Sequence, residues 1–172
     1  MGQRATRRLA LMAIQPRYAA GILSGTKQVE FRKRPLAADI STVLIYETAP
    51  TQMIVGYFTV GECVTAVPTA LWFRFGTVAG IPEKDFARYY EGHATGVGLT
   101  VEDPLRFRRP VPLRGLSPAP AIPQSFVYLG ADALTQIRDQ QPHEGRPSGV
   151  VTSAGPGRSA AKRLLAAVGG SR

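Results

Sequence analysis

The chain has 172 residues, 44% of them hydrophobic, and a formal net charge of +9. This length allows one domain with appendages, and a mean hydropathy near zero indicates a soluble, cytoplasmic protein. No apolar run approaches the roughly 20 residues of a membrane helix, so we expect no membrane partner. A single cysteine, Cys63, excludes an internal disulfide and a cysteine-rich zinc site.

The chain begins with a predicted strand, helix and second strand. Residues 9–14 are apolar and strand-length, and Pro16 is well placed in the first turn of a helix. Gly25 is the expected C-terminal cap of that helix, and Val29–Arg32 alternates apolar and charged residues as a strand does. The first apolar run is shorter than that of a signal peptide, so we interpret it as the first strand of the fold.

The middle of the chain is dominated by strands. Strands are predicted at 43–46, 53–62, 95–101, 105–113 and 125–129, with Gly56 and Gly61 marking a bulge or bend in the longest. Helices are predicted at 68–75 and 82–90, and the 105–113 segment is expected at a sheet edge. Cys63, with no histidine near it in sequence, is expected to be a buried structural thiol. This order favours an α+β fold: a small, strongly bent or barrel-like sheet of about five or six strands with helices at its mouth.

Composition divides the chain into three parts. Residues 1–8 form a basic N-terminal arm, residues 9–130 the predicted domain, and residues 131–172 a basic tail. The tail is rich in Gly, Pro, Ser and Gln and is expected to be disordered, although 131–139 and 159–168 have helical periodicity. Each part carries +3 of the net charge, so two thirds of the excess lies in the ends. The charge still favours a nucleic-acid partner.

The segment from Gly25 to Arg32 is the strongest candidate site. It brings Lys27, Glu30 and Arg32 into the turn after a helix and onto one face of the next strand. Two cations there would bind phosphates, while Glu30 would orient Arg32 or accept hydrogen bonds from a base. A simpler alternative is that Lys27 interacts with the helix dipole and that Glu30 and Arg32 form an exposed ion pair.

A second set of residues is expected to extend a binding surface. Arg106 and Arg108 share one face of an extended segment, which suits contacts to an RNA backbone. Tyr18 and Tyr46 are aromatics on which a base could stack. The last candidates, Gln124 and Ser125, would present an amide and a hydroxyl to a base edge, or simply cap a Pro-rich loop.

Several motifs together resemble the ASCH domain family, whose members are small PUA-like barrels. The resemblance runs from residue 9 through Gly-Thr-Lys-Gln-Val-Glu-Phe-Arg at 25–32 and Ile-Tyr-Glu-Thr-Ala-Pro at 45–50, to Pro-Gln-Ser-Phe-Val-Tyr-Leu at 123–129. It implies a cleft beside the first helix and binding of RNA. Some proteins of this kind are ribonucleases or amidohydrolases of N4-acetylated cytidines. In the amidohydrolases the motif lysine, matched here by Lys27, is catalytic, together with a threonine three residues on and a glutamate from the later helical region. This chain has Glu30 where those amidohydrolases have threonine, and no carboxylate near 76–80 before Glu83.

The sequence therefore predicts a domain that binds RNA or a nucleotide in a basic cleft, with DNA as an alternative ligand. The runner-up is a hydrolase in which Lys27 and Glu30 are catalytic, acting on RNA or a modified nucleoside. A third hypothesis is a regulatory module whose tail binds a protein partner. No metal or cofactor is expected, because the two histidines leave almost nothing from which to build a metal site.

Overall fold

Residues 8–142 are described by a computed structural model and contain six β-strands and four α-helices. The strands are β1 (Arg8–Ile14), β2 (Val29–Arg32), β3 (Thr42–Glu47), β4 (Met53–Ala66), β5 (Gly96–Val111) and β6 (Phe126–Gly130). The helices are α1 (Pro16–Ser24), α2 (Pro68–Phe75), α3 (Glu83–Tyr89) and α4 (Asp132–Asp139). Residues 1–7 of the predicted arm and 143–172 of the predicted tail lie outside the described residues.

The strands form a mixed sheet in the order β2-β5-β4-β3-β1-β6. β1 pairs in parallel with β3, and the other neighbouring pairs are antiparallel. Register shifts interrupt the β4–β5 pairing near Gly56 and between Val60 and Cys63, where the glycines of β4 were expected to bend it. The α+β class and the curved sheet with helices at its ends are therefore confirmed.

Contacts between the two ends of the sheet curl it into a barrel. The Arg32 guanidinium at the end of β2 donates a hydrogen bond to the Ala13 carbonyl of β1 (Nη2···O 2.8 Å). The segment that follows β2 continues across the other edge, where the Ala37 amide donates to the Tyr128 hydroxyl of β6. Strands β2 and β6, which lie at the two ends of the sheet order, are thereby held near each other, and β1 lies between them.

Three apolar clusters fill the domain. The first lies between α1 and one face of the sheet and includes Ile22, Phe58 and Leu99. The second lies on the side where α4 packs, and the third joins β2 to α2 and α3. Phe31 and Phe86 meet edge to face in the third cluster, with ring centroids 4.8 Å apart. This third cluster anchors the helical segment that borders the candidate site.

The structure corrects two expectations about β4 and β5. Residues 95–101 and 105–113 were predicted as separate strands, but β5 runs without a break from Gly96 to Val111. Asp103 adopts a left-handed backbone (φ 46°) where the register shifts against β4, so the polar turn residues form a bulge instead of a loop. The second correction concerns Cys63, which is exposed rather than buried.

The folded domain also continues past residue 130, the boundary that composition indicated. In α4, Ala133 and Ile137 are buried in the second cluster, and Ile137 has no exposed surface. Glutamine side chains fix the helix to the loop before β6, since the Gln136 amide donates to the Ser117 carbonyl and the Gln140 amide to that of Gly115. The helix is therefore part of the packed domain.

Candidate functional site

Strand β2 is buried on both of its faces, and this defines the site. Its alternation predicted one apolar and one polar face, and Val29 and Phe31 do pack in the third cluster. Glu30 and Arg32 point to the other face, where only 6% and 8% of their surfaces remain exposed. Charged residues are almost never buried to this degree unless they are paired. The interpretation of an exposed ion pair is therefore wrong.

Lys27 reaches the same interior from the turn after α1. Gly25 ends the helix in a left-handed conformation (φ 81°), and the Lys27 amide donates to the Gly21 carbonyl. The Lys27 ammonium donates to the Ala79 carbonyl at 2.8 Å and lies 3.5 Å from Glu30 Oε2. Its side chain is 3% exposed. A role confined to the dipole of α1 does not explain an ammonium buried against a carboxylate.

Glu30 connects the two cations. Its Oε1 accepts a hydrogen bond from Arg32 Nη2 at 2.8 Å, while its Oε2 faces Lys27. Arg32 Nη2 also donates to the Ala13 carbonyl, whereas Arg32 Nε is buried and has no hydrogen-bond partner among the described residues. A buried donor without a partner costs roughly 1–3 kcal/mol, so an oxygen that accepted a hydrogen bond from this N–H would stabilise the site. We call Lys27, Glu30 and Arg32 the buried triad.

The electrostatics of the buried triad weaken the hold of Lys27 on its proton. Burial lowers the pKa of the Lys27 ammonium, opposed by the attraction of Glu30 and reinforced by the repulsion of Arg32. With Lys27 protonated, the triad carries two cations and one carboxylate. The net effect is a lowered pKa of Lys27, because burial outweighs the attraction of Glu30. Lys27 is thereby prepared to exchange a proton closer to neutral pH than an exposed lysine.

Two glycines make room for the Lys27 side chain. A Cβ at Gly80, which has φ +60°, would lie 2.5 Å from Lys27 Cβ, and one at Gly21 would lie 3.1 Å from the same atom. Any larger residue at position 80 would displace the lysine or the 76–80 segment that holds its carbonyl partner. Nothing in the local sequence connects these glycines with Lys27.

The triad lies at the base of a small cavity of about 120 Å³. Tyr18 of α1 and Tyr89 of α3 line it together with Gln15, Ile81 and the end of β1. The Lys27 ammonium is 5.4 Å from the Tyr18 ring centroid, within cation–π range. Burial raises the pKa of both tyrosines, so their hydroxyls stay protonated at neutral pH and can donate hydrogen bonds. Such a cavity can hold one polar group beside two aromatic rings.

The other predicted site residues are distributed unevenly around this cavity. Tyr18 lines it, whereas Tyr46 is buried in the second cluster on another part of the sheet. The Ser125 carbonyl accepts from the Ala13 amide (2.9 Å), which places Ser125 beside a cavity residue, and Gln124 next to it is exposed. Tyr89 and Ile81 were missed, since nothing in their local sequence distinguishes them from helix and loop residues.

The second basic cluster is separate from the cavity. Arg106 pairs with Gly56 of β4, and neither Arg106 nor Arg108 lines the cavity. Both are exposed on β5, on either side of the buried Phe107. Both arginines are therefore open to solvent, and their contact with an RNA backbone stays a prediction.

Two structural features are absent from the part of the chain that the structure describes. Residues 8–142 contain no group of three or more His, Cys, Asp or Glu side chains placed to hold a metal ion. No helix in that range is both long and apolar enough to cross a membrane.

A PUA-like α+β barrel with a buried Lys–Glu–Arg site beside its first helix defines the class of this protein. The ASCH domain model matches residues 12–102, more than half of the chain. An ASCH domain-containing ribonuclease from Zymomonas mobilis is 34% identical over 137 residues, which cover 76% of this chain and 90% of that protein. This chain belongs to the ASCH domain family, as the motif at 25–32 indicated.

Solved structures agree with this assignment. The crystal structure of ASCH from Zymomonas mobilis superposes with a TM-score of 0.72 at 26% identity, covering 79% of this chain and 97% of that one. A tyrosine-to-phenylalanine variant of the same protein gives a TM-score of 0.72 at 25% identity, with coverage of 78% and 99%. The N-terminal domain of Staphylothermus marinus McrB shares the fold alone (TM-score 0.50, 8% identity, coverage 77% and 93%).

The pattern of the amidohydrolase members is incomplete in this site. Lys27 occupies the lysine position, but Glu30 stands in place of the threonine. Glu83, the first carboxylate after the 76–80 segment, is exposed at the start of α3 and does not line the cavity. Instead, that segment supplies a backbone oxygen, the Ala79 carbonyl, to Lys27. Glu30 is the one carboxylate among the described residues that line the cavity.

Proposed function

We propose that this protein binds single-stranded RNA and cleaves it at the cavity above the buried triad. The observation that carries the proposal is the Lys27 ammonium, held 3.5 Å from Glu30 in a site where burial lowers its pKa. The 34% identical relative named as a ribonuclease supports the same choice. Of the two hypotheses drawn from the sequence, the hydrolase is therefore preferred over recognition alone.

The size of the cavity favours an RNA strand as ligand over a free nucleotide or nucleoside. Pockets that enclose whole small molecules usually measure about 300–1,000 Å³. A cavity of about 120 Å³ accommodates one group of a larger ligand, such as a phosphate or a base, with the remainder outside. A modified nucleoside would gain little enclosure there, which together with the missing threonine argues against the amidohydrolase alternative.

In the proposed reaction, neutral Lys27 takes the proton of a ribose 2′-hydroxyl. The 2′-oxygen then attacks the adjacent phosphorus, and the bond from phosphorus to the 5′-oxygen of the next nucleotide breaks. That 5′-oxygen takes a proton from water, which leaves a 2′,3′-cyclic phosphate and a 5′-hydroxyl end. Arg32, through its unpartnered Nε–H, stabilises the charge that develops on phosphorus-bound oxygens. Glu30 holds both cations in position.

Residues around the buried triad contribute affinity in this proposal. Tyr18 offers an aromatic face at the mouth, and Ser125 and Gln124 lie next to the end of β1. Arg106 and Arg108 would add sequence-independent contacts to phosphates farther along a strand. Tyr46, which is buried, is not part of the proposed surface.

The proposal is tested by incubating the full chain with two short single-stranded oligonucleotides of identical sequence. One carries ordinary 2′-hydroxyls and the other is 2′-O-methylated at every position. We expect both to bind, because the phosphates are unchanged, and only the first to be cleaved. Mass spectrometry should show fragments with cyclic phosphate and 5′-hydroxyl ends. Binding without cleavage of either strand would make this a recognition domain, and cleavage of the methylated strand would exclude the proposed attack.

A further inference from the structure

Three exposed cations surround the mouth of the cavity, each over an aromatic ring. The Arg17 guanidinium lies 4.5 Å from the centroid of the Tyr18 ring, and the Lys33 ammonium lies 5.0 Å from that of Tyr89. Both rings line the cavity. The Arg34 guanidinium lies 5.8 Å from the ring of Phe126. We call Arg17, Lys33 and Arg34 the rim.

The rim residues contact three different elements near the cavity. Arg17 is on α1 and lies over Tyr18 of the same helix, and Lys33 lies over Tyr89 of α3. Arg34, the next residue, lies over the ring of Phe126 at the start of β6 instead. This ring is close to the end of β1, since the carbonyl of the preceding Ser125 accepts a hydrogen bond from the Ala13 amide. Lys33 and Arg34, which follow each other after β2, thus contact two different elements. They continue the run of basic residues from the buried Arg32 to the protein surface.

The charges of the rim are less compensated than those of comparable arginines. Arg8 also lies over an aromatic ring, but Asp39 accepts two hydrogen bonds from its guanidinium at 2.7 and 2.9 Å. Arg74 likewise pairs with Glu62 at 2.6 Å. Among the described residues no carboxylate lies within 4.0 Å of Lys33 or Arg34, whereas Arg17 forms an ion pair with Asp85 of α3 that is longer, at 3.7 Å.

Stacking on a ring fixes the direction of a long side chain while its charged end still faces water. A cation held in this way loses less conformational entropy when it binds a phosphate than one that moves freely. Three such cations near a cavity are therefore preorganised to bind the phosphates of an RNA strand.

We propose that the rim binds the phosphates that flank the group held in the cavity, so that Arg17, Lys33 and Arg34 set the path of single-stranded RNA across the protein. This inference rests on the proposed function for the identity of the ligand. It assigns the flanking contacts to a surface distinct from Arg106 and Arg108.

The test measures binding of the 2′-O-methylated RNA strand over a range of salt concentrations. Because this strand is not expected to be cleaved, its affinity is measured independently of cleavage. For single strands, the slope of log K against log salt changes by about 0.7 for each phosphate contact. Arg17→Gln, Lys33→Gln and Arg34→Gln are each expected to reduce the slope by about 0.7 and to weaken binding about fivefold at 0.1 M salt. In the variant that combines all three substitutions, the slope of log K against log salt should be smaller by about 2.

Arg114→Gln is the matched control, since it removes the same charge from an exposed position in the Leu113–Gly115 turn, outside the cavity and the rim. Thermal unfolding of every variant should stay close to that of the wild type. Rim variants with the slope and affinity of Arg114→Gln would overturn the inference, even if the wild type cleaves RNA. A wild type that instead binds RNA with a salt slope that the rim variants reduce, and yet does not cleave it, would support the inference about the rim and contradict only the proposed cleavage. No binding to RNA would contradict both.

Discussion

Lys27 can occupy the interior because its neighbours at positions 21 and 80 have no side chains. Its ammonium then meets one carbonyl and one carboxylate, the minimum that a buried cation needs. Glu30 is shared between Lys27 and Arg32, so both cations depend on this one carboxylate. Removing Glu30 would leave the two cations without their counter-charge, and breaking a buried pair in this way typically costs about 3–5 kcal/mol.

Gly80 provides a direct test of this packing. Gly80→Ala is expected to lower the free energy of unfolding by about 2–3 kcal/mol, because the new methyl group would lie 2.5 Å from Lys27 Cβ in a backbone with φ +60°. Chemical denaturation measures the change. Gly92→Ala is the matched control, since Gly92 also has a positive φ (+73°) but nothing within 4 Å of the added carbon. Equal losses in the two variants would show that contact with Lys27 is unimportant.

At the scale of elements, the sequence predicted what local periodicity and end signals control. Pro16 and Gly25 bounded α1, and the limits of β2 and α2 agree with the predicted ones. The break expected near Asp103 is a bulge, because pairing with β4 continues on both sides of it. Local propensity cannot reveal such pairing, which depends on a strand more than 40 residues earlier.

The candidate site was predictable in its residues but not in its environment. Spacing placed Lys27, Glu30 and Arg32 together, and the resemblance to the ASCH family singled out the same segment. Their burial depends on partners far along the chain, such as Ala79, 52 positions from Lys27. Tyr89 joins the cavity in the same way, through packing of α3 on the third cluster. An alternating strand alone cannot distinguish a solvated polar face from a buried one.

Helix α4 offers a test of where the domain ends. Ile137→Ala should destabilise the protein by about 2–5 kcal/mol, the usual cost of truncating a fully buried isoleucine. Thr135→Ala, at an exposed position on the same helix, is the control and should change stability by no more than about 0.5 kcal/mol. Thermal or chemical unfolding of the full chain measures both. A small effect of Ile137→Ala would mean that α4 adds little to the folded domain.

For the whole molecule, the fold brings distant segments to one end of the barrel. The close of β1, the turn after α1, strand β2 and helix α3 all contribute to the cavity. Hydrogen bonds across the two sheet edges hold these parts together, so the geometry of the site depends on closure of the barrel. The proposed cleavage of RNA rests on this geometry, and above all on the position of Lys27.

The most direct test compares the wild type with Lys27→Met in the rate of RNA cleavage as a function of pH. Because the pKa of Lys27 is lowered by burial, the neutral base should form at a pH below the ordinary lysine value of about 10.4. The wild-type rate should rise with pH and level off below that value. Lys27→Met should lose the rise and at least about 100-fold in rate, the contribution typical of a positioned general base, while retaining much of its RNA binding. A folded Lys27→Met variant that cleaves at the wild-type rate with the same pH profile would contradict the account.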